Sequence, residues 1–386
     1  MKLFRCDACQ SPVYFENAQC LTCGHLLGFL PETGQVGAIE PGDTAGTFRS
    51  LAPGMAHRRF RQCANTVDHG NCNWMVDSED SNPLCVSCRL VQTIPNLAAP
   101  HNEERWGKVE AAKRRVIYTL LRLGLPFEAD PERGVPGLRF SFLGGLPGEE
   151  PVVTSHNEGL ITIDVLEADS DERERRRNQL HEPYRTLIGH FRHEVGHYFW
   201  SRLIAGTDQL KRFRELFGDE TRDYDTALQT YYQRGPALDW LAHSVSAYAS
   251  SHPWEDWAET WAHFLHIADT TETATQFGVV VLSEADGADT SFDRDINTER
   301  TDTAFDRLMH DWFPLTRALN MLNRGMGLPD LYPFSLSDQA IEKLRFISEV
   351  IQGASANKTS ALEGSLEQAD ATPGALPEPT RAKADS

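Results

Sequence analysis

The chain has 386 residues, of which 40% are hydrophobic and 9% aromatic, so it can bury a substantial core and is long enough for two or three folding units. Its formal net charge of −19 argues against a general nucleic-acid binder, because phosphate contacts need clustered Lys and Arg. No apolar run approaches the roughly 20 residues of a membrane helix, and no apolar signal stretch precedes the first cysteine, which predicts a cytoplasmic protein without a membrane partner.

The eight cysteines form two groups, all within the first 88 residues. In a cytoplasmic protein this clustering favours metal ligation over disulfide bonds. Two Cys-x-x-Cys pairs predict a first four-cysteine zinc site, formed by Cys6, Cys9, Cys20 and Cys23. The other four cysteines predict a second zinc site, formed by Cys63, Cys72, Cys85 and Cys88. Both sets supply four protein ligands and leave no position for water, so we expect structural zinc at each.

The second cysteine set is less regular than the first. Only Cys85 and Cys88 form a Cys-x-x-Cys pair. Cys63 and Cys72 have eight residues between them, including His69 as an alternative ligand. Pairing of cysteines across the two sets also stays open. The zinc-ribbon module could dock a partner, although the basic run at 57–61 is more often a solvated surface than a binding site.

The pattern of the sequence divides the chain into three parts. Residues 1–95 predict short hairpins and knuckles held by metal, with weak strands and a loop at 36–54. Residues 353–386 lack aromatic and β-branched aliphatic side chains, which predicts a disordered tail. For residues 96–352 the predicted elements are a helix at 103–124, strands at 137–143 and 160–168, a charged helix or loop at 169–182, and helices at 183–205, 208–218, 221–233, 236–250, 254–268, 301–324 and 337–352.

The sequence HEVGH lies at 193–197, inside the predicted helix 183–205. Pro183 suits the first turn of this helix and Gly206 suits its end. Residues four apart share one helix face, so His193 and His197 can hold one metal ion with Glu194 beside them. Two imidazoles and a carboxylate are the groups that zinc-dependent hydrolysis needs. His190 lies one turn earlier on the same face, where it could support the site from the outer shell, although we expect it on the helix surface.

A catalytic zinc usually has a third protein ligand. The predicted helix within HPWEDWAETWAHFLH, at 252–266, places Glu255, Glu259, His263 and His266 along one stripe, and any of them could reach the metal. For the two histidines a polar seam between helices is the more common role.

These residues resemble a known group of enzymes. HEVGH followed by Glu255 and Glu259 in the form E-x-x-A-E is similar to the gluzincin zinc peptidases, and in particular to the glutamate helix of lethal-factor-like peptidases. The resemblance implies that Glu255 is the third zinc ligand and that Glu259 packs beside it in the outer shell. It also implies that Tyr248, seven residues before the ligand, hydrogen-bonds the developing oxyanion.

The chain as a whole, over about 1–350, resembles a family of bacterial zinc-binding metallopeptidases with an N-terminal zinc ribbon. The separation of His197 and Glu255 is long compared with thermolysin-type enzymes, so the details of that fold do not transfer. The sequence therefore predicts an α+β protein. A zinc-ribbon/knuckle module at 1–95 precedes a mainly helical, zincin-like metallopeptidase domain with a small sheet at 96–352.

The predicted function is zinc-dependent hydrolysis of peptide bonds in a protein or peptide substrate, with the water activated by zinc and Glu194. This function requires Zn²⁺ at three places, one catalytic and two structural, although a site of two His and one Glu also accepts other divalent ions. The strand at 160–168 could offer an edge to an extended peptide. One alternative is a non-catalytic adaptor with a vestigial peptidase domain, and another is a non-peptidic zinc hydrolase such as a deamidase.

Overall fold

The computed structural model describes residues 2–55, 57–144, 152, 154–180, 186–281 and 303–370, and has the α+β architecture that the sequence predicts. A β-rich region that carries the cysteines is followed by a mainly helical region. The strands are β1 (Phe4–Arg5), β2 (Pro12–Val13), β3 (Leu26–Leu30), β4 (Gln35–Pro41), β5 (Thr47–Ser50), β6 (Phe60–Gln62), β7 (Met75–Asp77), β8 (Val91–Thr93), β9 (Arg139–Leu143), β10 (Ser155–Asn157) and β11 (Leu160–Asp164). The α-helices are α1 (Ala64–His69), α2 (Asn102–Arg122), α3 (Ser170–Leu180), α4 (Leu187–Leu203), α5 (Gln209–Phe217), α6 (Tyr224–Arg234), α7 (Trp240–His243), α8 (Pro253–Gln276), α9 (Ala304–Gly325) and α10 (Asp338–Asp370).

The cysteine region contains more regular sheet than the sequence predicts. Strands β3 to β7 form a five-stranded antiparallel sheet in chain order, and β1 and β2 form a separate hairpin. The stretch 36–54, predicted as weak strands and a loop, supplies most of β4 and all of β5. Val36, Ala38 and Ile39 of β4 are buried, because the sheet is covered on both sides at that point.

The second sheet has the order β10-β11-β9-β8, with β11, β9 and β8 parallel and β10 antiparallel at one edge. Strand β8 precedes residue 95, so this sheet includes residues from both sides of the predicted domain limit. The strand predicted at 160–168 ends at Asp164, whose carboxylate accepts a hydrogen bond from Leu166 N and starts a 3₁₀ turn over Val165–Ala168. Because β11 lies inside the sheet, the edge predicted for it belongs to β10.

Helices α4 and α8 pack closely against each other and carry the predicted metal ligands. Gly196, in the middle of HEVGH, permits the close approach, because a Cβ added there would lie 3.0 Å from Ala258 Cα. Trp257 Nε1 donates a hydrogen bond to Gly196 O at 2.9 Å. The rings of Phe199 and Trp261 stack with their centroids 4.9 Å apart. The crossing therefore fixes the separation between the two ligand-bearing helices.

Most predicted helices form within a few residues of their expected bounds, but the helix predicted at 236–250 is wrong. The segment contains only α7 and a 3₁₀ turn at Tyr248–Ser251. The Ser246 hydroxyl accepts from Ala249 N and the Ser250 hydroxyl donates to Ala247 O, and such local bonds compete with helix. Helix α4 begins after Thr186, whose hydroxyl accepts from Gly189 N, and Pro183 lies outside the described residues.

Two helices are longer than the sequence predicts. Helix α8 continues to Gln276 instead of ending at 268. Helix α10 continues to Asp370, past residue 352, where we expect a disordered tail to begin. Ala, Leu, Glu, Gln and Lys in 353–370 favour helix, and no proline occurs before Pro373. Residues 371–386 lie outside the described residues.

The two regions share one hydrophobic core. Phe29 and Trp74 of the cysteine region pack with centroids 4.3 Å apart, and Tyr118 of α2 lies 5.9 Å from Phe29. The buried Lys113 of α2 donates a hydrogen bond to Ser87 O at 2.9 Å. The cysteine region is thus packed on α2, which in turn contacts α4. Within the described residues, no helix is long and apolar enough to cross a membrane.

Candidate active site

The first cysteine set is brought together as the sequence predicts. The ligand atoms of Cys6, Cys9, Cys20 and Cys23 all lie within 4.8 Å of one another. The Sγ atoms of Cys6 and Cys23 are 3.6 Å apart, as are those of Cys9 and Cys20. A tetrahedral zinc site with Zn–S bonds of about 2.3 Å separates its sulfurs by about 3.8 Å. The geometry therefore fits zinc, with Cys6 and Cys20 buried and Cys23 exposed.

The second cysteine set also converges, and all four members are buried: Cys63, Cys72, Cys85 and Cys88. The Sγ atom of Cys72 lies 3.8 Å from that of Cys85 and 3.7 Å from that of Cys88. Burial, followed by the neighbouring sulfurs, raises the pKa of Cys85 well above its usual value. A divalent cation bound to the four sulfurs would stabilise the thiolate and offset this cost of ionisation. His69, the alternative ligand, is not in this group, and its ring packs 5.0 Å from that of Trp106.

The third group of ligand atoms comes from α4 and α8. His193 and His197 lie one turn apart on α4, and their Nε2 atoms are 3.2 Å apart. Glu255, in the first turn of α8, places Oε2 3.0 Å from His193 Nε2 and Oε1 3.5 Å from His197 Nε2. Tetrahedral zinc with Zn–N bonds of about 2.05 Å separates two nitrogens by about 3.3 Å. The structure thus brings the three predicted ligands to one point.

Glu259 lies behind His193 and not at the convergence point. Its Oε1 is 2.7 Å from His193 Nδ1 and its Oε2 accepts a hydrogen bond from Ser246 Oγ at 2.6 Å. A carboxylate on Nδ1 fixes the imidazole with its Nε2 lone pair directed towards a metal. This arrangement corresponds to the outer-shell position that the sequence predicts for Glu259.

The charges around His193 are compatible with a cation at this point. Burial lowers the pKa of His193, but Glu255 and Glu259 together raise it well above its usual value. Glu255 Oε2 is buried and has no hydrogen-bond partner among the described residues. Two lone-pair nitrogens and a carboxylate that meet this closely repel one another unless a proton or a metal ion lies between them. The donor set of two nitrogens and one oxygen fits zinc.

Two aromatic residues that the sequence analysis missed complete the surroundings of the ligands. The Tyr224 hydroxyl, on α6, donates a hydrogen bond to Glu255 Oε1 at 2.7 Å. Trp254 packs its ring against that of His197, with centroids 3.8 Å apart. Trp254 could have been suspected from the sequence, because it directly precedes Glu255. Nothing in the sequence links Tyr224 to Glu255, which lies 31 positions later.

Tyr248, the predicted oxyanion donor, lines the same cavity as the ligands. Its ring centroid is 6.1 Å from that of His193 and 5.7 Å from that of Tyr231. Burial and the negative charge of Glu255 raise the pKa of Tyr248 well above its usual value. The phenol therefore keeps its proton at neutral pH and remains a hydrogen-bond donor.

His190 is not on the helix surface, contrary to the sequence-based expectation. Its Nδ1 lies 2.6 Å from Oε2 of the buried Glu167, and its Nε2 lies 3.4 Å from Glu194 Oε1. Burial raises the pKa of Glu194, but His190 and the two ligand histidines lower it overall, so this carboxylate is ionised. Glu167 comes from the 3₁₀ turn after β11, a position that no motif in the sequence indicates.

His263 and His266 do not join the ligand group. His263 Nδ1 is 2.6 Å from the Tyr332 hydroxyl, and His266 Nδ1 is 3.5 Å from Arg192 Nη1. Burial lowers the pKa of His263 to about 4 and that of His266 to about 3, so both are neutral. They form the polar seam that the sequence analysis favours.

The three converging ligands and the residues described around them line one cavity of about 630 Å³. Its lining also includes His156 of β10 and Leu228, Tyr231 and Tyr232 of α6. A cavity of this size accommodates several residues of a peptide or one small molecule. The cysteine clusters lie outside it, because none of their ligands lines the cavity.

Comparisons with known proteins agree with this geometry. Residues 102–350 match the family described as "Putative zinc-binding metallo-peptidase", and residues 3–99 match a zinc-ribbon domain. Uncharacterized proteins of Mycobacterium bovis and of two strains of Mycobacterium tuberculosis are 41% identical to this chain over 355 residues, which cover 91% of this chain and 95% of each relative. No solved structure matches the chain.

Proposed function

The chain belongs to this zinc-binding metallo-peptidase family, with an N-terminal zinc-ribbon domain, and on that premise we propose that it hydrolyses peptide bonds in a protein or peptide substrate. The observation that carries the proposal is the convergence of His193, His197 and Glu255 at one point of a cavity, with Glu194 on the same helix. Three protein ligands leave room for a water and a substrate, as catalytic zinc sites do.

Each residue around this point has a separate task in the proposed reaction. His193, His197 and Glu255 would hold the zinc, which would supply the Lewis acidity that lowers the pKa of water and polarises the scissile carbonyl. Glu194 takes the proton of the attacking water and delivers it to the leaving amine. Tyr248 donates a hydrogen bond to the oxyanion that develops on the carbonyl, and one such donor can contribute about 3 kcal/mol in the transition state.

The ligands are held in place by bonds to surrounding residues, which supports the assignment. Glu259 orients His193, and Tyr224 orients Glu255. Trp254 covers the ring of His197 and limits the access of water to it. Metal sites lacking such outer contacts typically lose about 10- to 100-fold in affinity or activity.

A path for an extended substrate runs along β10. This strand pairs with β11 on one side, and no other strand of the described residues covers its second side. His156, in the middle of β10, lies 6.4 Å from the ring of His197. An extended peptide that adds to this edge would therefore pass beside the ligands, with main-chain hydrogen bonds supplying affinity.

The decisive variant is Glu194→Gln, which keeps the size of the side chain and removes the base. We expect its zinc content to match wild type, because Glu194 is not among the converging ligands, while hydrolysis of a peptide library falls by at least about 100-fold. Mass spectrometry of the library measures cleavage, and elemental analysis measures zinc. Glu174→Gln, at an exposed position on α3, is the matched control.

Equal hydrolysis by wild type and Glu194→Gln would contradict the proposal. A wild-type chain that binds zinc only in its cysteine clusters, and cleaves no peptide, would indicate the adaptor function instead. Cleavage of side-chain amides without cleavage of the main chain would indicate a deamidase.

A further inference from the structure

The side chain of His190 is placed between two carboxylates that belong to different elements. Glu167 lies in the 3₁₀ turn Val165–Ala168 and Glu194 lies one helical turn after His190 on α4. The nitrogen–oxygen distances are 2.6 Å from Nδ1 to Glu167 and 3.4 Å from Nε2 to Glu194. Both ring nitrogens of one imidazole therefore face an acidic group.

Two side chains face the carboxylate of Glu167, one at each oxygen. Thr154 Oγ1 accepts a hydrogen bond from Asp164 N, so the threonine proton is directed to Glu167 Oε1, 3.1 Å away. The other oxygen, Oε2, faces His190 Nδ1. A glutamate is ordinarily ionised at neutral pH, and in that state both of its oxygens act as acceptors and have no proton to offer.

An imidazole between two acceptors must carry a proton on each nitrogen. Burial by itself lowers the pKa of His190, but the charges and hydrogen bonds of Glu167 and Glu194 raise it to about 9. The imidazolium then forms an ion pair with Glu194, whose Oε1 lies 3.4 Å from Nε2. This ion pair favours one orientation of the buried Glu194 carboxylate.

We propose that His190, held as an imidazolium by Glu167, is a positioning residue that fixes the carboxylate of Glu194 for proton transfer. This inference rests on the proposed peptidase function and extends it by two residues, His190 and Glu167. Neither residue touches the reacting atoms, and both act through Glu194. The pair ties the sheet, through the turn after β11, to the helix that carries HEVGH.

The charge of His190 can be measured without any assay of catalysis. In ¹⁵N-histidine NMR spectra of the full zinc-loaded chain at pH 7.5, we expect the His190 ring to show two protonated nitrogens, with its signals assigned by their loss in His190→Gln. In Glu167→Gln the same ring should become neutral. A neutral His190 in the wild-type spectrum would overturn the proposal.

Kinetics test the positioning role itself. We expect His190→Gln and His190→Ala to lower kcat by about 10- to 100-fold, with KM and zinc content unchanged. His310→Gln, whose side chain is 65% exposed outside the cavity, is the matched control and should retain wild-type kcat. Thermal melts identify any variant that fails to fold, and His190→Gln, which keeps the approximate size of the side chain, then carries the test.

A double-mutant cycle tests whether His190 and Glu167 act together on Glu194 or affect kcat independently. If Glu167 acts through His190, the loss in kcat for Glu167→Ala with His190→Ala together should equal that of His190→Ala alone. Additive losses in kcat, or a fall in zinc content, would contradict the positioning role. Absence of any hydrolysis by the wild-type chain would remove the proposed function, and the NMR spectrum would then decide the charge of His190 by itself.

Discussion

Each of the two cysteine clusters brings four sulfurs within 4.8 Å of one another, yet the clusters lie in different surroundings. All four cysteines of the Cys85 cluster are buried in the shared core, whereas the first cluster has two buried members in that core but leaves Cys9 partly exposed and Cys23 exposed. The cavity on α4 and α8 differs from both, because it has three ligands and adjoining space. Burial therefore distinguishes the two cysteine clusters from each other, and ligand type, the number of ligands and the adjoining space distinguish the cavity from both.

The largest effect should come from breaking the buried cluster. Structural zinc contributes on the order of 10 kcal/mol to the folding of small metal modules, and this cluster shares its core with α2. We therefore expect Cys85→Ser to prevent cooperative folding of the whole chain, as measured by circular dichroism melts. Cys23→Ser should cost only about 1–3 kcal/mol, because its surroundings are solvated. Equal destabilisation by both variants would show that burial does not separate the clusters.

Removal of metal from the cavity should separate function from folding. A chelator such as 1,10-phenanthroline should remove one zinc per chain quickly and abolish hydrolysis, while the melting temperature changes little. The cysteine clusters have no vacant position for the chelator, so their zinc should leave much more slowly. Elemental analysis during the reaction gives the three rates. Loss of all zinc at one rate, with unfolding, would contradict this distinction.

The smallest effect should come from the bond between Tyr224 and Glu255. Tyr224→Phe removes the donor to Glu255 Oε1 and keeps the ring, so we expect the zinc affinity of the cavity to fall by about 10-fold. Competition with a fluorescent zinc chelator measures this affinity. Tyr14→Phe, exposed in the cysteine region, is the matched control. An unchanged affinity would show that Glu255 is positioned by α8 alone.

Local signals in the sequence predicted most of the side chains that converge in the three candidate metal sites. Cys-x-x-Cys spacing places two sulfurs at one ion, and HEVGH places two imidazoles on one helix face, because both geometries involve neighbouring residues. The choice of Glu255 over Glu259 came from resemblance, since periodicity alone allows both. The failed helix at 236–250 has a local cause as well, in serine side chains that bond to nearby backbone and to Glu259.

The sequence by itself determined which side chains could bind zinc and where along the chain they stand. Only the tertiary structure decided that Tyr224 reaches Glu255, that His190 faces Glu167 rather than solvent, and that β10 rather than β11 is the open edge. The physical reason is the separation along the chain. The spacing of ligands in one motif depends only on the geometry of neighbouring residues within one element. Those three features depend instead on how separate elements pack, which the close contact of Gly196 and Ala258 helps to set.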